Sequence, residues 1–206
     1  MNHSLFAKLM PIWTLTLVTM SGCALMQPAK EDPTRHYVLE GSPLGKLSNR
    51  SGPAVLVGPV TIPGYLEHKE IVTAGPSNDL KLADYHIWAE PMDKAISRVL
   101  AENLSRLLNS PAVAPFPDVN ADFDYKTGIV VRRFEMAADG KVHFKVSYTI
   151  DGPAGSKVKS TSRARDVVVS VKRVDDYASI ANAMSKALAE LSQELAKDLL
   201  KSSGAR

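Results

Sequence analysis

The 206 residues are 45% hydrophobic, 23% charged and 6% aromatic, a globular composition with enough apolar side chains for one sizeable core. It excludes a collagen-like chain, a wholly disordered chain and a polytopic membrane protein. The 25 basic against 22 acidic side chains give a net charge of +3, too small for the concentrated basic surface that nucleic-acid binding needs, and one cysteine permits no internal disulfide.

The amino terminus has a short basic start ending at Lys8, then a mostly apolar run from Leu9 to Met20. This is the layout of a secretory signal, and the run falls short of the roughly 20 apolar residues of a membrane span. It ends in Ser21-Gly22-Cys23. Small residues directly before a cysteine resemble the lipobox of bacterial lipoproteins, in which the thiol takes diacylglycerol and cleavage leaves the cysteine first. Cys23 is therefore the expected lipidation site, carrying diacylglycerol and an N-acyl chain of palmitate type. Several acyl chains, at about 0.8 kcal/mol per buried methylene, hold a protein firmly to a bilayer. Ala24 stands where an aspartate would resemble the inner-membrane retention signal, so the lipoprotein rule implies the periplasmic face of the outer membrane. The expected division is a signal peptide over 1–22, an acylated tether over 23–35 and one domain over 36–203. Cleavage would leave 24 basic against 22 acidic side chains.

Along the mature chain, 24–33 is Pro-containing and without periodicity, which suits a tether. Tyr37–Leu39 reads as a first short strand, and Gly41–Pro53, rich in Gly, Pro and Ser, as a loop. Ala54–Val60 is an apolar run of the kind a buried strand shows, although Pro59 limits how centrally its end can lie. Extended pieces follow at Glu70–Thr73 and Leu80–Trp88, around a turn at Gly75–Asp79. Pro91 is placed at the first position of a helix whose stripe is Ile96, Val99, Leu100, Leu104, Leu107 and Leu108. Asn109-Ser110-Pro111 stops it. Asp122–Met136 and Lys141–Ile150 alternate, with Asp139-Gly140 between them as a hairpin signal, and Thr161–Val171 is the next strand. These three predict an antiparallel meander. Asp175 or Asp176 caps a last helix to about Leu200, with the stripe Tyr177, Ile180, Met184, Leu188, Leu191, Leu195 and Leu199. Core packing on the sheet is the favoured role for that stripe, with a partner-binding helix as the alternative. The predicted class is α+β: a single domain with a mostly antiparallel sheet and both helices on one face.

The search for chemistry returns little. Gly41–Leu47 imitates a phosphate loop but has the wrong glycine spacing and Leu47 in place of the hydroxyl residue. His36, His68, His86 and His143 are dispersed, without ligand spacing, and no serine sits in a Gly-x-Ser-x-Gly elbow. The expectation is a non-enzyme without cofactor or metal. Lys157, Lys159, Arg163, Arg165, Lys172 and Arg173 gather around one hairpin. Two readings stay open: a solvated face with edge protection, or contact with anionic headgroups or an acidic partner through Arg163, Arg165, Lys172 and Arg173.

Residues 37 to about 116 carry a family resemblance. Tyr37-Val38-Leu39, Val57-Gly58-Pro59-Val60-Thr61-Ile62-Pro63-Gly64-Tyr65-Leu66 and Ile71-Val72-Thr73 lead to the most specific piece, Trp88-Ala89-Glu90-Pro91-Met92, and its helix with Arg98 and Asn103. The order resembles the PqiC/YmbA-like lipoproteins, the auxiliary lipoprotein component of ABC-type and MCE-type lipid transport systems. The resemblance implies a non-enzymatic outer-membrane lipoprotein that docks at the distal end of a periplasm-spanning MCE-domain tunnel or needle protein, supports membrane integrity and self-assembles as a ring. For the signature, a structural role is favoured over lipid contact: Trp88 fills a pocket, Glu90 caps and Pro91 starts the helix. The alternative function is a free-standing periplasmic lipid- or hydrophobic-ligand-binding lipoprotein.

Overall fold

The computed structural model describes residues 31–117, 122–153 and 160–204. Thr34–Arg206 is one compact unit. Cys23, Lys157 and Lys159 lie outside the described residues.

Eight strands and two helices follow in chain order: β1 (Arg35–Tyr37), β2 (Val55–Thr61), β3 (Glu70–Ala74), β4 (Leu80–Trp88), α1 (Met92–Leu107), β5 (Val113–Pro115), β6 (Tyr125–Met136), β7 (Lys141–Asp151), β8 (Thr161–Ser170) and α2 (Tyr177–Gly204). A 3₁₀ turn at Gly64–Leu66 joins β2 to β3. The expected meander is present: β6 pairs with β7 and β7 with β8, both antiparallel. Its first hairpin closes at Asp139-Gly140, where Gly140 takes a φ of 71° that suits glycine.

The twelve-residue β6 organises the rest. One edge holds β7; the other is shared, with β2 parallel along its first half and β3 parallel at Thr73↔Met136. Beyond β3 the sheet continues through antiparallel β4 to β1, and beyond β2 to β5, both of these outer pairings being parallel. The two longest ladders, β6–β7 and β7–β8, are thus antiparallel. Val55, Leu56 and Val57 of β2 are buried on both faces, as a strand enclosed by two neighbours requires. At Gly58 (φ 117°) and Pro59 the β2–β6 register shifts, and pairing resumes at Val60. The stretch 111–117, for which the sequence predicts no strand, contains β5, which pairs with β2 at Val113, Ala114 and Pro115.

Both helices pack against the inner face of the sheet. Val142, Phe144, Val146, Tyr148 and Ile150 of β7 are all buried beneath them, as the alternation predicted. Ile96, Val99, Leu100, Leu104, Leu107 and Leu108 line the buried side of the α1 segment, which Asn109 ends in the left-handed region at φ 52°. Asp176 caps α2: its Oδ1 accepts from the Ala178 amide at 3.2 Å and its Oδ2 from the Ser179 hydroxyl at 2.9 Å. The α2 stripe is core from Ile180 to Leu199. Buried Ala181, Ser185, Ser192 and Ala196 widen it beyond one face, because α2 meets α1 as well as the sheet.

Candidate functional site

Two places gather the functional side chains that the sequence singled out. The first surrounds the Trp88–Met92 signature. β4 ends with Trp88 buried in the core, its amide donating to the Lys69 carbonyl at 2.7 Å, and the Ala89 amide donates to the Tyr37 carbonyl at 2.8 Å. Pro91 follows in an extended conformation with ψ 138°, and its carbonyl accepts from the Lys94 and Ala95 amides. It is therefore the residue just before the helix, and Met92 takes the first helical position. Glu90 does not cap, since no side chain bonds the first amides of α1. Its carboxylate faces back along the helix to the Arg98 guanidinium, Oε1 accepting from Nε at 3.1 Å and from the neighbouring Nη2. A charged donor two turns away offers a stronger partner than a neutral amide.

Arg98 is the hub. Nη1 donates to Glu102 at 2.9 Å and Nη2 to the backbone carbonyl of Leu39 at 2.8 Å. The Glu90 hydrogen bond is the main cause that raises the guanidinium pKa above its ordinary value, with Glu102 adding to it against partial burial. Leu39 is wholly buried, and from it the chain runs as a strap over the α1–α2 seam. The Glu40 amide donates to the Ser185 hydroxyl at 3.1 Å, and the Ser42 amide to Asn103 Oδ1 at 2.9 Å. The Ser42 carbonyl accepts from Arg106 at 3.0 Å. Asn103, also wholly buried, spans the seam by donating to the Ser192 hydroxyl at 3.1 Å.

Each peptide group of the strap so engaged is a polar group that burial would otherwise leave without water. Leu39–Ser42 is thereby fastened to both helices. Beside it, an open groove of about 380 Å³ is lined by Val60, Ile62, Glu67, Pro91, Met92 and Asp93. The sequence reading noted Arg98 and Asn103 only within the family pattern. Asn103 had a local signal, a polar residue at stripe spacing from Val99, Leu100 and Leu107, whereas Arg98 lies on the polar face with Lys94 and Glu102 and had none.

The second place is the β8 hairpin. Period two does put Arg163 and Arg165 on one face, and that face looks at α2. Arg163 Nε lies 3.5 Å from Asp198 Oδ2, and Arg165 Nη2 lies 3.5 Å from Glu194 Oε2. Asp198 also accepts from the Tyr148 hydroxyl at 2.9 Å; burial, then this bond, pushes the phenol pKa well above its ordinary value. Glu194 is held below its ordinary 4.5, first by its hydrogen bond to Lys197 and further by Arg165. Arg173 pairs with Asp176, the α2 cap, and Lys172 is exposed. The six cations expected to make one patch are thus divided. Three have carboxylate partners on or at the start of α2, Lys172 faces solvent, and Lys157 and Lys159 are outside the described residues.

Of the histidines, His86 stacks on Tyr177 with ring centres 4.0 Å apart and hydrogen-bonds with the Tyr37 hydroxyl at 2.7 Å. His143 pairs with Asp139 at 2.9 Å, while His36 and His68 are exposed. Among the described residues no group of three or more His, Cys, Asp or Glu side chains could hold a metal ion. No helix among them is long and apolar enough to cross a membrane.

Residues 37–196 match the family model described as the ABC-type transport auxiliary lipoprotein component. No curated protein matches the chain. Among solved structures, an uncharacterized protein is similar at 21% identity and a TM-score of 0.64, covering 81% of this chain and 98% of its own. A Xanthomonas campestris protein described under the family model DUF330 is similar at 19% identity and a TM-score of 0.63, covering 84% of this chain and 98% of its own. Identities this low establish the shared fold, and the family match, spanning both the signature and the meander, establishes the rest: the chain belongs to the ABC-type transport auxiliary lipoprotein family.

Proposed function

We propose that this protein is the outer-membrane docking component of a periplasm-spanning MCE/ABC-type lipid transport system, acylated at Cys23 and without chemistry of its own. The observation that carries the reading is the family match over residues 37–196. The export signal ending in Ser21-Gly22-Cys23 supports the anchor. In this role the acyl chains hold the protein to the periplasmic face of the outer membrane, and the tether sets its reach. The domain supplies the surface for an MCE-domain tunnel or needle protein, and copies of the domain associate as a ring around its distal end. The contribution to the cell is membrane integrity. Fastening of Leu39–Ser42 across α1 and α2 suits such a part, because a pull along the tether would be passed to both helices rather than to the three-residue β1 alone.

The test is crosslinking in cells of the tagged full chain, followed by detergent extraction and mass spectrometry of what it carries. An MCE-domain protein is expected among the products, and a Cys23→Ser chain is expected to leave the membrane fraction and lose that partner. Recovery of the protein with itself alone, together with lipid in a solvent extract, would overturn the docking role in favour of a free-standing lipid binder.

A further inference from the structure

The two ends of the sheet fit one another. At one end, β8 pairs with β7 over ten consecutive positions without a bulge, and its other edge has no strand partner among the described residues. At the opposite end, β1 covers β4 only at His86–Trp88, so Leu80–Tyr85 is likewise an open edge. Long, flat, unpaired edges are what monomeric proteins avoid by proline, bulges or lysines pointed outward. Neither edge contains proline and both arginines of β8 are turned to α2; the β4 edge is regular over Leu80–Leu82 and shifts register against β3 between Leu82 and Ile87.

Direction and height agree as well. β8 runs with β6 through two antiparallel steps, β3 also runs with β6, and β4 runs against β3. Two copies placed side by side in the same orientation would therefore join β8 to β4 as an antiparallel ladder. The strand register carries one row across five strands: Lys81–Thr73–Met136–Val142–Val169. Lys81 and Val169 thus stand at one level, as do their neighbours Leu82 and Val168. Those neighbours lie on the face away from the helices, where Leu82 is 42% and Val168 47% exposed, while Ala83, Val167 and Val169 pack with the core. A head-to-tail contact without rise along the strands closes on itself; one with a rise winds into a filament.

We propose that the β8 edge of one copy pairs with the Leu80–Tyr85 edge of the next, burying Leu82 against Val168 and continuing the sheet from copy to copy. The proposal rests on the self-association in the reading above and names its interface.

The test places cysteines at both positions, Leu82→Cys with Val168→Cys, in the full acylated chain, with oxidation in cells and gels run without reductant. The double variant is expected to give a ladder of covalent multimers that reductant collapses to monomer, and each single variant none beyond a dimer. An amine-reactive crosslinker on the wild-type chain runs beside it. No ladder where that reagent gives multimers overturns this interface and leaves self-association standing. Monomer from both overturns the interface and the ring together. As a second readout, Leu82→Lys with Val168→Lys is expected to abolish the amine-crosslinked multimers without moving the melting temperature of the domain; multimers that persist in this variant overturn the interface.

Discussion

Arginine holds a helix in two places in this domain, and the two are built differently. Arg98 sits among Glu90, Glu102 and the carbonyl of wholly buried Leu39, so the signature, α1 and the strap from far earlier in the chain meet on one guanidinium. Arg163 and Arg165 each reach a single carboxylate of α2 at 3.5 Å, from side chains that are 52% and 36% exposed. Partner number, rather than burial or the number of charges, separates the structural joint from the surface pair, since the Arg98 side chain is itself 35% exposed. The sequence pointed the other way, since the β8 cations form a visible cluster and Arg98 is one charge among Lys94, Glu102 and Arg106 on the polar face of α1.

The comparison is broken most severely at the residue that gives the first joint its floor. Trp88 ends β4 inside the core and sets the height from which Glu90 reaches Arg98. Trp88→Ala is expected to cost about 3–5 kcal/mol in chemical unfolding, the range for removing a buried aromatic. A loss below about 1 kcal/mol would mean that the signature does not anchor the fold.

Next in size is Arg98→Met, which keeps the apolar stem and removes the fork. It strands the Glu90 carboxylate and the Leu39 carbonyl together. Because both charged side chains are about one-third exposed, solvent relieves part of the penalty, and about 2 kcal/mol is expected. A readout specific to the strap accompanies it: the Glu40 and Ser42 amides should exchange with solvent faster than in the wild type, while the β7 amides keep their protection relative to global stability. Equal acceleration everywhere would deny the strap a separate existence.

How much of this was legible follows the range of each interaction. The meander and both helices are local patterns, and Lys141–Ile150 and Ile180–Leu199 spell them out by period. The parallel pairings of β2 with β5 and of β3 with β6 join segments far apart in the chain and leave no periodic trace. A three-residue strand such as Val113–Pro115 has none to leave, and Pro115 argues locally against a strand. The strap is harder still. Leu39–Ser42 looks like the start of a loop, and its fixed path depends on backbone groups meeting Arg98, Asn103 and Ser185 from elsewhere. Glu90 was assigned to capping because proximity to a helix start favours it, and only the fold brings Arg98 within reach.

The smallest effect sharpens the comparison from its other side. Changing Arg163 and Arg165 together to Gln is expected to cost under about 1 kcal/mol, as exposed ion pairs of this geometry do. Neither carboxylate is orphaned: Asp198 keeps the Tyr148 hydroxyl and lies 3.7 Å from Lys201, and Glu194 keeps Lys197 at 2.9 Å. The titration of Glu194 supplies the sign. A carboxyl held below its ordinary 4.5 stabilises the fold above that pH, and the contribution is lost as pH falls through the depressed value. Lys197 is the larger cause of the depression and Arg165 the lesser, so the double variant should move the Glu194 titration upward only slightly in an NMR pH series. Its acid unfolding should then be marginally less steep than that of the wild type. A loss above about 2 kcal/mol, or a Glu194 titration restored to its ordinary value, would show that the β8 arginines bind α2 to the sheet as firmly as Arg98 binds the strap. The two joints would then be alike, and partner number would no longer explain their difference.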